Sequence, residues 1–185
     1  MITRLVGAAA IAILGVNAAH VPNLDGALVD PLQAQASTKA TVLLFVSTDC
    51  PISNRYAPDI RKLSDTYSKD GVAFWLVYPN PAESVADIRD HVKSFSFPGT
   101  ALRDLKHDLA KAAGATITPE AAVYNAKGTL TYRGRIDDRY SAVGIEKAQA
   151  ARHDLQDAIA AALAGKPVRQ KFTQAVGCYI ADFAR

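Results

Sequence analysis

Residues 41–58 read TVLLFVSTDCPISNRYAP and place a cysteine between a strand and a helix. Thr41 to Val46 is β-branched and apolar, which predicts a buried strand. Pro51 suits the first turn of a helix, where its missing N–H would have no partner. Apolar residues then recur at helical spacing, as Ile52, Tyr56, Ile60, Leu63 and Tyr67. The stretch therefore predicts Cys50 at the N-terminus of a helix that directly follows a strand.

This position favours a reactive thiolate at Cys50. The unpaired N–H groups and the dipole of a helix N-terminus stabilise a negative charge on sulfur. Asp49 acts in the opposite direction, because a neighbouring carboxylate disfavours a second negative charge. The alternative is that Cys50 packs as a small buried hydrophobic residue. Its place at a strand–helix junction favours the reactive interpretation.

The rest of the pattern predicts an α/β domain over residues 40–166. Further strands are expected at 72–78, 121–124 and 130–136, and helices at 83–95, within 101–113, and around 155–163. A strand–helix–strand order implies parallel strands joined by right-handed crossovers, whereas the last two strands form an antiparallel hairpin. We expect a central mixed sheet with helices on both faces.

The two ends of the chain differ from this domain. Residues 1–19 show the pattern of a cleaved secretory signal, although an uncleaved anchor or a buried helix is the alternative. Residues 20–39 are expected to be irregular. Residues 167–185 form a C-terminal tail that contains Cys178, the second of only 2 cysteines. An exported protein would hold both cysteines where a disulfide can form and persist.

Composition excludes several functions. The formal charge of the 185 residues is +3, with basic and acidic residues interspersed, so nucleic acid is a poor candidate for a partner. The histidines show no metal-ligand spacing and are expected at the surface; they are His20, His91, His107 and His153. Beyond the export signal, no membrane segment is expected, and no cofactor.

Two segments carry a family resemblance. FVSTDCPISNRYAP (45–58), followed by TPEAAVYNAKGTLTYRGRIDD (118–138), resembles the thioredoxin-like redoxins, the group that holds thioredoxins and peroxiredoxins. The chain is most similar to an exported bacterial branch with a Val-Gly-Cys element in its tail, which is Val176-Gly177-Cys178 here. The resemblance implies a thioredoxin-like fold. It also implies that Thr118-Pro119 is a cis bond beside Cys50, with a backbone edge that can pair with an extended peptide.

The chain departs from the best-known redoxin patterns. Ser53 replaces the second cysteine of thioredoxins, so no local dithiol can form. Ser47 matches the hydroxyl residue that peroxiredoxins carry before their cysteine, but Leu43 replaces their proline. A solvated charged turn is the favoured interpretation of the charged cluster after the hairpin. If that interpretation is wrong, Arg135 is the best candidate for a guanidinium that stabilises the thiolate.

The sequence therefore predicts an exported thiol–disulfide oxidoreductase. Cys50 is the expected nucleophile and Cys178 the expected resolving thiol on a flexible tail, while Thr118 and Pro119 shape the groove. A thiol- or disulfide-bearing protein is the expected substrate, and an external thiol the expected reductant. One alternative is a peroxiredoxin-like hydroperoxide reductase. Another is a non-catalytic module that binds a partner chain, or copper between its two thiols.

Overall fold

The computed structural model of the protein describes residues 20–33 and 36–180. The strands are β1 Val21–Pro22, β2 Leu28–Val29, β3 Ala40–Phe45, β4 Val72–Tyr78, β5 Thr100–Arg103, β6 Ile117–Thr118, β7 Glu120–Asn125, β8 Leu130–Gly134, β9 Tyr140–Ala142, β10 Ile145–Glu146 and β11 Cys178–Tyr179. The α-helices are α1 Pro51–Tyr67, α2 Val85–Phe95, α3 Asp108–Ala113 and α4 Asp154–Leu163.

A mixed sheet of five strands forms the centre of the domain, in the order β5-β4-β3-β7-β8. Strands β3, β4 and β5 are parallel, and α1 and α2 provide the crossovers between them. Strand β7 pairs antiparallel with both β3 and β8, so the last two strands form the predicted hairpin. The mixed sheet predicted from the sequence is therefore confirmed.

Both faces of the sheet are covered, which explains the continuous apolar run of β3. Val42 and Leu44 point into one core layer with α1, α2 and α4, whereas Leu43 and Phe45 point into a second layer with α3. A strand buried on both faces needs apolar residues at every position, not at every second one. Helices on both faces were expected and are present.

The structure differs from the sequence-based expectation at the sheet edge and near the N-terminus. Thr100–Arg103 is an edge strand, whereas the sequence indicated only a short helix in that region. Within residues 20–39, expected to be irregular, β1 and β2 pair as a hairpin whose Val21 is buried in the second core layer. The predicted signal at 1–19 lies outside the described residues. In the described ranges, no helix has the length and apolar character needed to span a membrane.

The C-terminal tail is docked against the domain, and the expectation of a flexible arm is wrong for its described part. Thr173 N–H donates to the Arg133 carbonyl at 3.1 Å, and Arg133 N–H donates to the Lys171 carbonyl at 2.9 Å. Ala175 and Ile180 are buried, with Ile180 in the second core layer. The tail approaches β8 so closely that a side chain at residue 134 would collide with Thr173, which explains Gly134.

A buried hydroxyl fixes the tail at this point. Thr173 Oγ1 accepts a hydrogen bond from Arg135 N–H at 3.1 Å and lies 2.6 Å from Tyr132 Oη. We predict that Thr173→Ala lowers the free energy of unfolding by about 1–2 kcal/mol, because the Arg135 amide loses its acceptor. Urea denaturation measures the change. Thr66→Ala is the control, since the exposed Thr66 hydroxyl bonds only within α1; equal losses in the two variants would contradict the prediction.

Candidate active site

Cys50 caps the N-terminus of α1, as the sequence predicts. It has an extended backbone (φ −83°, ψ 107°), and Pro51 follows at the first helical position. The side chain is only 1% exposed. Its thiol donates a hydrogen bond to the Thr118 carbonyl, with a sulfur–oxygen distance of 3.0 Å. The strand β3 and the short segment after it therefore deliver a thiol to the helix N-terminus.

The Thr118–Pro119 peptide bond is cis, which confirms the conformation predicted from the sequence. Because the Thr118 carbonyl accepts a hydrogen bond from the Cys50 thiol, the cis peptide bond lies beside the Cys50 sulfur. Strand β6 ends at Thr118 and leaves a backbone edge next to Cys50. An edge of this kind can pair with an extended peptide.

The protein's own tail occupies that edge. Strand β11 pairs antiparallel with β6, in a register that sets Cys178 opposite Thr118 and Tyr179 opposite Ile117. Ile180 N–H extends the pairing by donating to the Thr116 carbonyl at 3.0 Å. The second cysteine is thereby fixed next to the first by main-chain hydrogen bonds.

Gly177 makes this approach possible. A Cβ atom on Gly177 would lie 2.0 Å from the Thr118 carbonyl oxygen and 3.1 Å from Pro119 Cδ. No side chain fits there, since contacts under 3.0 Å with backbone atoms require the backbone to move. The Val-Gly-Cys element therefore has a steric explanation. Gly177 lets the tail lie against the cis peptide, and the next residue, Cys178, is thereby placed beside Cys50.

The two thiols line the same cavity, and their pKa values move apart. Burial by itself raises the pKa of Cys50, but hydrogen bonds from Ser53 N–H, the Cys178 thiol and the Ser53 hydroxyl outweigh it, so the pKa lies below its ordinary value. Burial, the neighbouring Cys50 sulfur and the Asp49 carboxylate raise the pKa of Cys178 to about 11. The first proton lost from the pair therefore leaves a thiolate at Cys50, with the remaining proton on Cys178.

The sequence analysis missed an effect of Ser53 on Cys50. Ser53 was interpreted only as the loss of a second cysteine, yet its N–H and hydroxyl are among the groups that lower the pKa of Cys50. The side chain is fully buried, and within the described residues its hydroxyl makes no hydrogen bond of good geometry. The signal was present in its position, three residues after Cys50, where the N–H groups of the first helical turn are free.

Ser47 and Arg135 do not act on the sulfur, which corrects two sequence-based candidates. The Ser47 hydroxyl donates to Glu83 at 2.9 Å and lies 3.2 Å from Asp49. Arg135 Nε donates to the buried Asp154 of α4 at 2.7 Å. Both side chains are therefore held by carboxylates and not by the Cys50 sulfur.

A buried carboxyl group organises the segment before Cys50. Glu83 accepts hydrogen bonds from Thr48 N–H at 2.5 Å and from the Ser47 hydroxyl. Burial raises the pKa of Glu83, although these hydrogen bonds act in the opposite direction. Sequence patterns do not indicate this role, because Glu83 follows β4 and reaches the segment before Cys50 only in the folded protein.

A buried histidine supports the same segment from the other side. His91 Nδ1 lies 2.9 Å from Tyr78 Oη, and His91 Nε2 lies 2.7 Å from Asn54 Oδ1. Asn54 in turn donates to the Thr48 carbonyl at 3.3 Å. The expectation of surface histidines is therefore wrong for His91, and also for His107, which is buried beneath Pro79. Across residues 20–33 and 36–180, no cluster of three or more metal-ligating side chains occurs.

Comparisons with known proteins agree with this geometry. The Redoxin family model matches residues 16–151. An uncharacterised conserved protein from Geobacillus kaustophilus is 25% identical, with a TM-score of 0.76 and 92% coverage of both chains. A hypothetical protein from Sinorhizobium meliloti 1021 is 26% identical, with a TM-score of 0.71, and the match covers 92% of this chain and 95% of that one. A search of curated proteins finds no significant match.

A third structure supports the fold. A secreted Mycobacterium tuberculosis disulfide oxidoreductase, homologous to Escherichia coli DsbE, is 22% identical, with a TM-score of 0.57. The match covers 78% of this chain and 96% of that one. The chain therefore belongs to the Redoxin family and is an oxidoreductase of thioredoxin-like fold.

We predict that Ser53→Ala raises the pKa of Cys50 without destabilising the fold. The variant removes a hydroxyl that lowers the pKa of Cys50, and among the described residues that hydroxyl has no hydrogen-bond partner to leave unpaired. Ultraviolet absorbance of the thiolate as a function of pH measures the pKa. Ser64→Ala is the matched control, because this buried serine of α1 bonds to Ser68 and not to the sulfur. An unchanged pKa in Ser53→Ala would show that the hydroxyl does not stabilise the thiolate.

We predict that Gly177→Ala separates β11 from β6, because the added methyl group meets the Thr118 backbone. Hydrogen exchange at the Ile180 amide should become faster, and alkylation should reach Cys50 more readily. Gly26→Ala is the control: its methyl group meets no atom within 4 Å, although its φ of +84° adds backbone strain far from the tail. Equal exchange of the Ile180 amide in both variants and the wild-type protein would contradict this account.

Proposed function

We propose that this chain is an exported thiol–disulfide oxidoreductase whose working unit is the Cys50–Cys178 pair. Cys50 supplies the low-pKa thiolate, and Cys178 supplies the second sulfur of a reversible internal disulfide. The observation that carries the proposal is the pairing of β11 with β6, which sets Cys178 opposite Thr118, the residue whose carbonyl accepts the Cys50 thiol at 3.0 Å. Both cysteines line the same small cavity, where a disulfide can join them.

The pairing of β11 with β6 supports this function, because it brings a second cysteine to Cys50. Ser53 occupies the position in α1 where thioredoxins carry that second cysteine. A lone thiolate can form a mixed disulfide with a partner but needs a second thiol to release it. Cys178 stands opposite Thr118 and can meet that need. The expected substrates are proteins that carry thiols or disulfides.

Export is the second part of the proposal. It rests on the signal-like pattern of residues 1–19, and an oxidising compartment is where a disulfide of this kind persists. The Mycobacterium tuberculosis neighbour is described as a secreted disulfide oxidoreductase. An exported chain with two paired cysteines fits the same setting.

The structure also bears on the hydroperoxide alternative. A guanidinium near the thiolate would orient a peroxide oxygen, but Arg135 is bound to Asp154. The thiolate donors are instead a serine and a second thiol, which suit exchange between sulfur atoms. Disulfide exchange is therefore the function that the site supports best.

Three proteins test the proposal: wild type, Cys50→Ser and Cys178→Ser. After mild oxidation, mass mapping of wild type should show one internal disulfide and no free thiol. Turnover of a disulfide-bearing protein such as insulin should fall by at least about tenfold in each variant, because the intramolecular partner is lost. Gln174→Ala is the control, since it changes an exposed side chain of the same tail.

Three results would contradict the proposal. The first is the recovery of two free thiols after oxidation, and the second is unchanged turnover in Cys178→Ser. The third is rapid consumption of hydrogen peroxide with no exchange on protein disulfides, which would make the chain a hydroperoxide reductase.

A further inference from the structure

The two sulfur atoms differ sharply in their exposure to solvent. Cys50 is 1% exposed, and β11 lies beside it, whereas Cys178 is classed as exposed. Thiol–disulfide exchange requires the incoming thiolate to approach the sulfur that it attacks. A polypeptide can therefore reach Cys178 but not Cys50 in this arrangement.

Resting on the proposed function, we propose that Cys178 is the sulfur that forms the mixed disulfide with a partner protein. We further propose that an uncharged apolar side chain next to the partner's cysteine lies in a cleft beside Cys178. This order reverses the one expected from the sequence, in which the partner bonds to Cys50 and Cys178 resolves the product.

The cleft lies between the start of α1 and the β9–β10 hairpin and has a volume of about 330 Å³. Pro51 and Ile52 line one side, and Tyr140 and Val143 line the other. Gly177 and Cys178 line the cleft as well, so a side chain bound there is held next to the exposed sulfur. Because the lining is mainly apolar, burial of an apolar side chain would stabilise the complex.

The charges around the cleft indicate an uncharged occupant. Arg55 and Glu146 form an ion pair at its edge, and Tyr140 Oη also donates to Glu146 at 3.0 Å. The two charges therefore satisfy each other and leave none to pair with a charged partner residue. Val143 is 71% exposed in the absence of a partner, as expected for a side chain that a partner would cover.

A second cavity also leads to the two cysteines, but it is less suitable for an incoming thiolate. A smaller cavity, of about 180 Å³, touches both Cys50 and Cys178 and is lined by Asp49 and Ser47. The Asp49 carboxylate repels an incoming thiolate. Its size and charge favour entry of a partner from the apolar cleft.

The exchange balances in atoms and electrons. The partner thiolate attacks Cys178 Sγ, a new sulfur–sulfur bond forms, and the Cys50–Cys178 bond breaks with its electron pair on Cys50. A second thiolate of the partner then attacks the partner's sulfur in the mixed disulfide, which releases an oxidised partner and the Cys178 thiolate, and the latter takes up a proton. The partner dithiol loses two electrons and the internal disulfide gains them. Reduction of a partner disulfide follows the same steps in reverse: Cys178 gives up its proton as it attacks the partner disulfide, the displaced partner thiolate takes up a proton, and the Cys50 thiolate then attacks Cys178 Sγ and releases the second partner thiolate.

Ser53 explains why Cys50 is the leaving group. The low pKa of Cys50 favours its departure, because exchange is faster when the leaving thiol has a lower pKa. Once Cys178 is bonded to the partner, it has no proton to donate to Cys50. Ser53 at the start of α1, which also lowers the pKa of Cys50, stays beside the sulfur through this step.

The test uses the oxidised wild-type protein and two synthetic peptides. Each peptide carries one reduced cysteine, flanked by leucines in one and by serines in the other. The reaction is quenched with acid early, and mass mapping locates the peptide adduct. We expect the adduct on Cys178 in at least tenfold excess over Cys50, and a rate about fivefold higher for the leucine peptide.

Matched variants test the cleft separately. Val143→Ser should reduce the preference for the leucine peptide to near unity. Leu28→Ser, which changes a side chain that is 65% exposed and lies outside the cleft, should leave it unchanged. Equal rates for the two peptides with wild type would overturn the assignment of the cleft.

The remaining outcomes separate this inference from the proposed function. An adduct mainly on Cys50 would overturn the inference and leave the internal disulfide intact as a proposal. Failure of the wild-type protein to form any internal disulfide would overturn both.

Discussion

Main-chain pairing between β11 and β6 is the constraint on which the site depends. It sets Cys178 opposite Thr118, whose carbonyl already accepts the Cys50 thiol. The pairing is possible only because Gly177 has no side chain to meet the Thr118 backbone. The tail that follows α4 is thus brought to Cys50, and the two cysteines line one cavity although 128 positions separate them (178 − 50).

That pairing also divides the chemistry between the two sulfurs. Cys50 is buried at a helix N-terminus, where Ser53 donates to its thiolate, while burial and nearby negative charge keep the proton on Cys178. The exposed thiol is therefore the weaker acid. The lower pKa belongs to Cys50 and the greater solvent exposure to Cys178. A partner could therefore bond to Cys178 while Cys50 accepts the negative charge.

Local patterns explain what could be predicted from the sequence. The apolar run of β3, Pro51 at the start of α1 and the cis bond at Pro119 each depend on neighbouring residues or on a family motif. The contacts by which the tail docks could not be predicted, since they require Gly134 and Gly177 to meet segments that are distant in sequence. The partner of Arg135 could not be predicted for the same reason, because Asp154 belongs to a later helix.

The most direct test is the redox equilibrium of the wild-type protein with glutathione, which gives the effective concentration of one thiol at the other. A flexible tether produces values in the millimolar range or below, and these fall as the tether lengthens. A tail docked by backbone pairing should give an effective concentration well above about 1 M, because little movement is needed to close the disulfide. A millimolar value would contradict the account, since it would show that Cys178 reaches Cys50 only as the end of a mobile arm.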